Sequence, residues 1–334
     1  MRRILVFLVI AGTALAAEGY HVLSTIKIGG QGFWDYLTMD NANRRLYVSN
    51  ATRVVVVDPE AGKVVGEIPD TQGVHGIAIA DKLNKGYISD GRTNDVTVFD
   101  LKTLKVLGKV EMTGTNPDAI IYEPKSERVY TFNGRSSDAT AIDAKTDKIV
   151  ATIPVGGKPE FAAVDDAGHI FFNIENTSEI AEIDAAKATL TRRESIKPCE
   201  DPSGLAIDVK KSVLFSVCGN KMMAVTDAKT LKVIATPEIG QGPDAAAFDP
   251  GTGEAFSSNG RDGTLTVIKE VNGKWEPVDT VKTEMFARTM TLDPKTHRIY
   301  LSSAEAGAAP PSGGEKKGRP AMLPDSFHLV VVGK

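Results

Sequence analysis

Several familiar chemical signatures are missing from this chain. It has two cysteines in 334 residues and no C-x-x-C pair, which argues against thiol redox chemistry. It carries no nucleophile elbow, no zinc signature and no phosphate loop. Any catalytic site would therefore have to be assembled from groups lying far apart in the sequence. No run of basic residues exists at the scale of a domain, so no nucleic-acid partner is expected. Past the first residues, no stretch is long and apolar enough to span a bilayer.

The start of the chain is a separate segment. MRRILVFLVIAGTALAAEG joins two arginines, a short apolar core and the small-x-small triplet Ala14-Leu15-Ala16. This is the pattern of a secretory signal peptide over residues 1–16, cut between Ala16 and Ala17. The mature chain, 17–334, is expected to be periplasmic or secreted. No cysteine follows the cut, so no lipid anchor is expected. Losing Arg2 and Arg3 takes the formal charge from 39 − 43 = −4 to 37 − 43 = −6.

What is abundant is repetition. Seven segments align without gaps: WDYLTMD (34–40), HGIAIAD (75–81), PDAIIYE (117–123), PEFAAVD (159–165), PSGLAID (202–208), PDAAAFD (243–249) and ARTMTLD (287–293). Their starts lie 41, 42, 42, 43, 41 and 44 residues apart. Each ends in an acid and a polar turn, followed by an aromatic-bearing strand such as LYVSN, GYISD or VYTFN. A β-branched strand ending in Asp and then a strand of the type KVLGKV complete most units. The segments are too short, too β-branched and too often interrupted for helices. Four short strands cannot cover both faces of their own sheet, but seven such sheets arranged radially cover one another. The last unit lacks a fourth strand, and YHVLSTIKIG (20–29) is a strand without a unit. The expected fold is an all-β, seven-bladed β-propeller with four antiparallel strands per blade, its last blade closed by the N-terminal strand.

The unit G-x-x-P-x-x-[AI]-x-x-D/E, then a strand such as LYVSN, then V-x-V-x-D, resembles the YVTN-type repeat. Over nearly all of the mature chain it is similar to the YncE-like secreted seven-bladed propellers. That resemblance implies the fold but not one activity. Related propellers include phosphogluconolactonase-type lactonases, muconate-cyclising enzymes, quinoprotein subunits, surface-layer proteins and binding proteins without chemistry.

In a propeller the starts of the innermost strands converge on one mouth of the central channel. The first aligned slot holds Trp34 and His75 where most units have proline, and Ala287 in the last. The second slot holds Asp35, Gly76, Asp118, Glu160, Ser203, Asp244 and Arg288. Loops after the aromatic strands, SDGRTN, FNGRSS and SNGRDG, add Arg92, Arg135 and Arg261 to the same face. Arginine forks recognise carboxylate and phosphate. The ligand-binding set is thus Trp34, Asp35, His75, Arg92, Asp118, Arg135, Glu160, Asp244, Arg261 and Arg288. The expected function is a monomeric binding protein holding a small anionic molecule or a protein partner at the funnel. A lactonase-type hydrolase or isomerase, with His75 or Glu160 moving a proton, is the alternative. No cofactor or metal is expected. A calcium-like ion among Asp35, Asp118, Glu160 and Asp244 is the less favoured alternative.

Cys199 precedes the innermost strand of the fifth unit and Cys218 ends the next strand, so antiparallel pairing brings them within reach of a disulfide. The Pro-, Gly- and Ala-rich stretch 304–325 reads as a long loop inserted in the last blade at the same mouth, where it could act as a lid.

Overall fold

Each repeat folds into one four-stranded antiparallel sheet, and the sheets are arranged as seven blades. The computed structural model describes residues 19–30, 33–307 and 321–334. The expected signal peptide therefore lies outside the described residues, as do positions 308–320 of the expected loop. The innermost strands are Leu37–Asp40, Val74–Ala80, Pro117–Glu123, Pro159–Val164, Pro202–Asp208, Pro243–Asp249 and Met290–Asp293. The last blade takes its outer strand from the N-terminus. His21–Lys27 pairs antiparallel with His328–Gly333, which pairs with Arg298–Ser303. Among the described residues no helix is long and apolar enough to cross a membrane.

The aromatic in the second strand of a blade explains much of the packing. Tyr130 is fully buried and donates its hydroxyl to the Ala185 carbonyl of the next blade at 2.6 Å. Tyr87 makes the same step to Ala144 at 2.9 Å. At these two positions the ring supplies apolar area while the hydroxyl finds a backbone acceptor, whereas the buried Tyr47 hydroxyl of blade one has no hydrogen-bond partner among the described residues. The described core accordingly divides into apolar clusters between neighbouring blades. Phe132 of blade three meets Phe172 of blade four in one of them, and Tyr47 of blade one meets Phe99 of blade two in another.

The acid that ends most units organises the turn at the far end of the channel. Asp40 accepts the Asn43 N–H at 2.9 Å, and Glu123 accepts those of Lys125 and Ser126 at 2.9 and 2.7 Å. These carboxylates act as turn caps. Cys199 and Cys218 form the expected disulfide, with Cα atoms 5.4 Å apart. The ends of the last-blade excursion pair with each other through Gly307 N–H to Ala321 O at 2.8 Å and Leu323 N–H to Glu305 O at 2.8 Å.

Candidate functional site

Five innermost strands share an irregularity that aims side chains into the channel. Pairing register shifts between Val74 and Ile77, Pro117 and Ile120, Pro159 and Ala162, Pro202 and Leu205, and Pro243 and Ala245. A bulge adds a residue to one strand and re-aims its side chain. In blades three to six it falls on the second aligned slot, at Asp118, Glu160, Ser203 and Asp244. In blade two Val74 stands opposite Asp90 as Pro117 stands opposite Asn133, so His75 and not Gly76 takes that place, one residue from where the sequence alignment set it. In blades one and seven the strand starts later, so Asp35 and Arg288 arrive from the preceding loop.

Hydroxyls in the second strands then fix the slot between blades. Ser49 Oγ accepts the Asp35 N–H at 2.7 Å. Ser89 Oγ accepts the Gly76 N–H at 2.8 Å and donates to the Asp118 carbonyl of the next blade at 2.6 Å. In blade five the hydroxyl comes from the innermost strand instead, Ser203 Oγ donating to the Asp244 carbonyl at 2.8 Å.

The result is a chain of alternating charges across five blades. Asp244 pairs with Arg288, whose Nη2 lies 3.8 Å from Asp35 Oδ1. Asp35 Oδ2 lies 2.7 Å from His75 Nδ1, and that nitrogen lies 3.5 Å from Asp118 Oδ1. In blade four, Glu160 pairs with Lys158 at 2.6 Å, and Lys158 also pairs with Glu175. Burial alone pulls His75 down, but the hydrogen bond to Asp35 and the charges of Asp118, Asp35 and Glu160 raise it to about 9. It is an imidazolium at neutral pH. Burial pushes Asp118 and Glu160 upward, each helped by a neighbouring carboxylate; His75 and then Lys158 oppose the rise at Asp118, and Lys158 opposes it at Glu160.

Beneath this ring the channel is closed by two aromatics. Tyr36 of blade one stacks on Phe161 of blade four with ring centroids 4.0 Å apart. The Tyr36 hydroxyl oxygen is buried with no hydrogen-bond partner among the described residues. Burial and the charges of Asp118, Glu160 and Asp35 raise its pKa well above the phenol range. Below the stack lies a cavity of about 790 Å³, lined by Ile120, Ile207, Phe248, Met290 and Leu292 among others.

The ten residues singled out in the sequence divide into three groups. Asp35, His75, Asp118, Glu160, Asp244 and Arg288 lie in the charged ring. Arg92, Arg135 and Arg261 sit on the same mouth, their backbone N–H groups donating to the carbonyls of Gln72, Thr115 and Gln241 in the loops that lead into innermost strands. All three are exposed, and among the described residues none has a side-chain ion pair. Trp34 instead packs between the first and last blades against Phe327, and only its carbonyl reaches the ring, accepting from Arg288 at 3.1 Å. Phe33 is the aromatic that faces the funnel, edge-on to His75 and under the Arg288 guanidinium. Sequence reasoning passed over Phe33, Lys158, Tyr36 and Phe161. The third position of the units carried a signal for the last two, since Tyr36 and Phe161 stand there among Ala119, Gly204, Ala245 and Thr289, with Gly76 in blade two once the strand pairing corrects the alignment by one residue.

A family model described as a domain of unknown function, DUF5074, matches residues 35–236, more than half of the chain. The chain belongs to the DUF5074 family. The match runs from Asp35 through blade five and includes Asp35, His75, Asp118 and Glu160 of this DUF5074 ring. No curated protein matches it. Among solved structures it is similar to U3-55K, at 8% identity and a TM-score of 0.74, covering 92% of this chain and 97% of that one. It is likewise similar to the WD40 repeats of RRP9, at 8% identity and a TM-score of 0.75, covering 93% and 97%. Hydrazine synthase of Kuenenia stuttgartiensis aligns at 15% identity and a TM-score of 0.69, covering 88% and 95%. At these identities the likeness shows the fold alone.

Proposed function

We propose that this DUF5074 propeller is an exported binding protein that holds a small anionic molecule at the funnel mouth. The observation that carries this reading is the set of rim guanidiniums. Arg92, Arg135 and Arg261 come from three blades, are exposed, and have no carboxylate partner among the described residues. The cations deeper in the funnel are already matched, Arg288 by Asp244, His75 by Asp35 and Lys158 by Glu160. A carboxylate or phosphate would meet the unmatched arginines first. Binding is favoured over turnover because His75 and Glu160, the candidate proton carriers, are both held in ion pairs. Export fits the leader-like residues 1–16 and the disulfide, and the repeated motif supports a YVTN-type, YncE-like relationship.

The test is calorimetry with sugar acids, lactones and small phosphates on wild type and on the triple variant R92A/R135A/R261A. An anion that binds wild type and is lost in the triple variant is the expected result. Equal binding by both, or turnover of a lactone by the wild type, would overturn the reading.

A further inference from the structure

Deeper than the rim, three ligand atoms from three blades face one another across a small space. We propose that Asp35, His75 and Asp118 form a binding site for a first-row divalent cation, with zinc as the best-fitting ion. The donor atoms all lie within 4.8 Å of one another. His75 Nδ1 is 2.7 Å from Asp35 Oδ2 and 3.5 Å from Asp118 Oδ1. A tetrahedral zinc with bonds of about 2.0–2.1 Å separates neighbouring ligand atoms by about 3.3 Å. Small rotations of the two carboxylates therefore suffice to close the set around an ion.

A second observation points the same way. The Tyr36 hydroxyl oxygen is buried with no hydrogen-bond partner among the described residues, and the charges acting on it are those of Asp118, Glu160 and Asp35, opposed by Arg288. A buried hydroxyl left without a partner is costly. An ion between the carboxylates, or a water on that ion, would give this oxygen a partner. One imidazole and two carboxylates suit zinc or manganese better than calcium, which prefers a shell made of oxygens alone. This differs from a calcium-like site spread over Asp35, Asp118, Glu160 and Asp244, because Asp244 is committed to Arg288 and Glu160 to Lys158.

The position of the imidazole is set by the turn after the second strand of its own blade. A Cβ on Gly91 would lie 2.6 Å from His75 Nε2, so only glycine there leaves the ring in place with Nδ1 turned to the two acids. Ion binding must displace the proton shared between His75 and Asp35, so affinity should increase with pH.

The site is tested with the full mature chain, stripped by chelator and titrated calorimetrically with zinc, manganese and calcium chlorides and no anionic ligand present. One zinc per chain is expected, bound more tightly than calcium. Zinc binding should weaken by about tenfold or more in Asp118→Asn and His75→Gln. Glu200→Gln, exposed and outside the ring, should retain it. Cobalt(II) loading should give the intense visible bands of a low-symmetry site in wild type and lose them in His75→Gln. Thermal melts of each variant separate misfolding from lost ligation. The proposal is overturned if wild type takes up no zinc, if folded variants bind it as wild type does, or if calcium is preferred. Because only metal is added, loss of this site leaves anion binding at the arginine rim to be judged separately.

Discussion

Asp90 ends the second strand of blade two, where Asn50, Asn133 and Asn259 stand in blades one, three and six. In blade three the Asn133 amide donates to Asp138 Oδ1 at 2.6 Å and to Thr140 Oγ1 at 2.9 Å. Blade two keeps the acid and the threonine as Asp95 and Thr97, but sets a second carboxyl against the first. Thr97 donates to Asp90 Oδ2 at 2.6 Å, with Lys109 Nζ 3.6 Å from the same oxygen, while Oδ1 is buried with no hydrogen-bond partner among the described residues. Burial, opposed by the Thr97 bond and reinforced by Asp95, raises Asp90 to about 8. A carboxyl raised this far contributes fully only while protonated. Its contribution is present below the unfolded value of about 3.9 and is lost as pH rises towards the folded one. Each pH unit in that window costs the wild type about 1.4 kcal/mol. An asparagine in place of Asp90 would not ionise and would donate to Asp95 as Asn133 does to Asp138. The variant Asp90→Asn should therefore gain about 3 kcal/mol on wild type between about pH 5 and about pH 7. Urea unfolding followed by circular dichroism, with the disulfide intact, measures the difference at each pH. A gap that stays constant across the window, or a variant less stable than wild type at neutral pH, refutes the reasoning.

Three further outcomes follow from packing. Replacing Cys199 and Cys218 by serine should cost on the order of 3 kcal/mol in urea unfolding, because a loop of about 20 residues is no longer closed. Gly204→Ala should destabilise by roughly 1–3 kcal/mol by calorimetry, since its Cβ would lie 2.6 Å from backbone atoms of Ala245 and Ala246 in the next blade. Glu254→Ala removes the acceptor for the Tyr20 hydroxyl at 2.8 Å and the partner of Lys334 at 3.3 Å. It should lower stability by about 1–3 kcal/mol and speed amide exchange first in His21–Lys27.

The period of the fold was readable because each blade must repeat the same burial problem. The spacing of WDYLTMD to ARTMTLD gave seven sheets, and the unpaired YHVLSTIKIG gave the closure that His21–Lys27 makes. The cysteines were readable because strand pairing alone brings them together. The second slot was legible as a ring of side chains except in blade two, where the alignment set His75 in the proline slot and the pairing of Val74 with Asp90 moves it into the ring position. The bulges that turn those side chains inward were not legible, since a bulge depends on how two strands pair. Trp34 occupies a funnel slot in the alignment and packs elsewhere, because a later strand start leaves it beside Phe327. The Tyr36–Phe161 stack joins blades on opposite sides of the channel, a relation that no local pattern encodes. Lys158 stood one residue outside the aligned segment.

The circular closure also decides how the molecule can be handled. Lys334 Nζ lies 4.3 Å above the Tyr20 ring, and His21 is paired with Gly333, so both ends of the described ring leave together. His328, at the opposite end of that strand, pairs with Ser303 on the funnel side, which puts the two ends on the reverse face. A purification tag, surface tether or fusion partner attached at either end would hang behind the disc and leave its charged entrance free for solution assays.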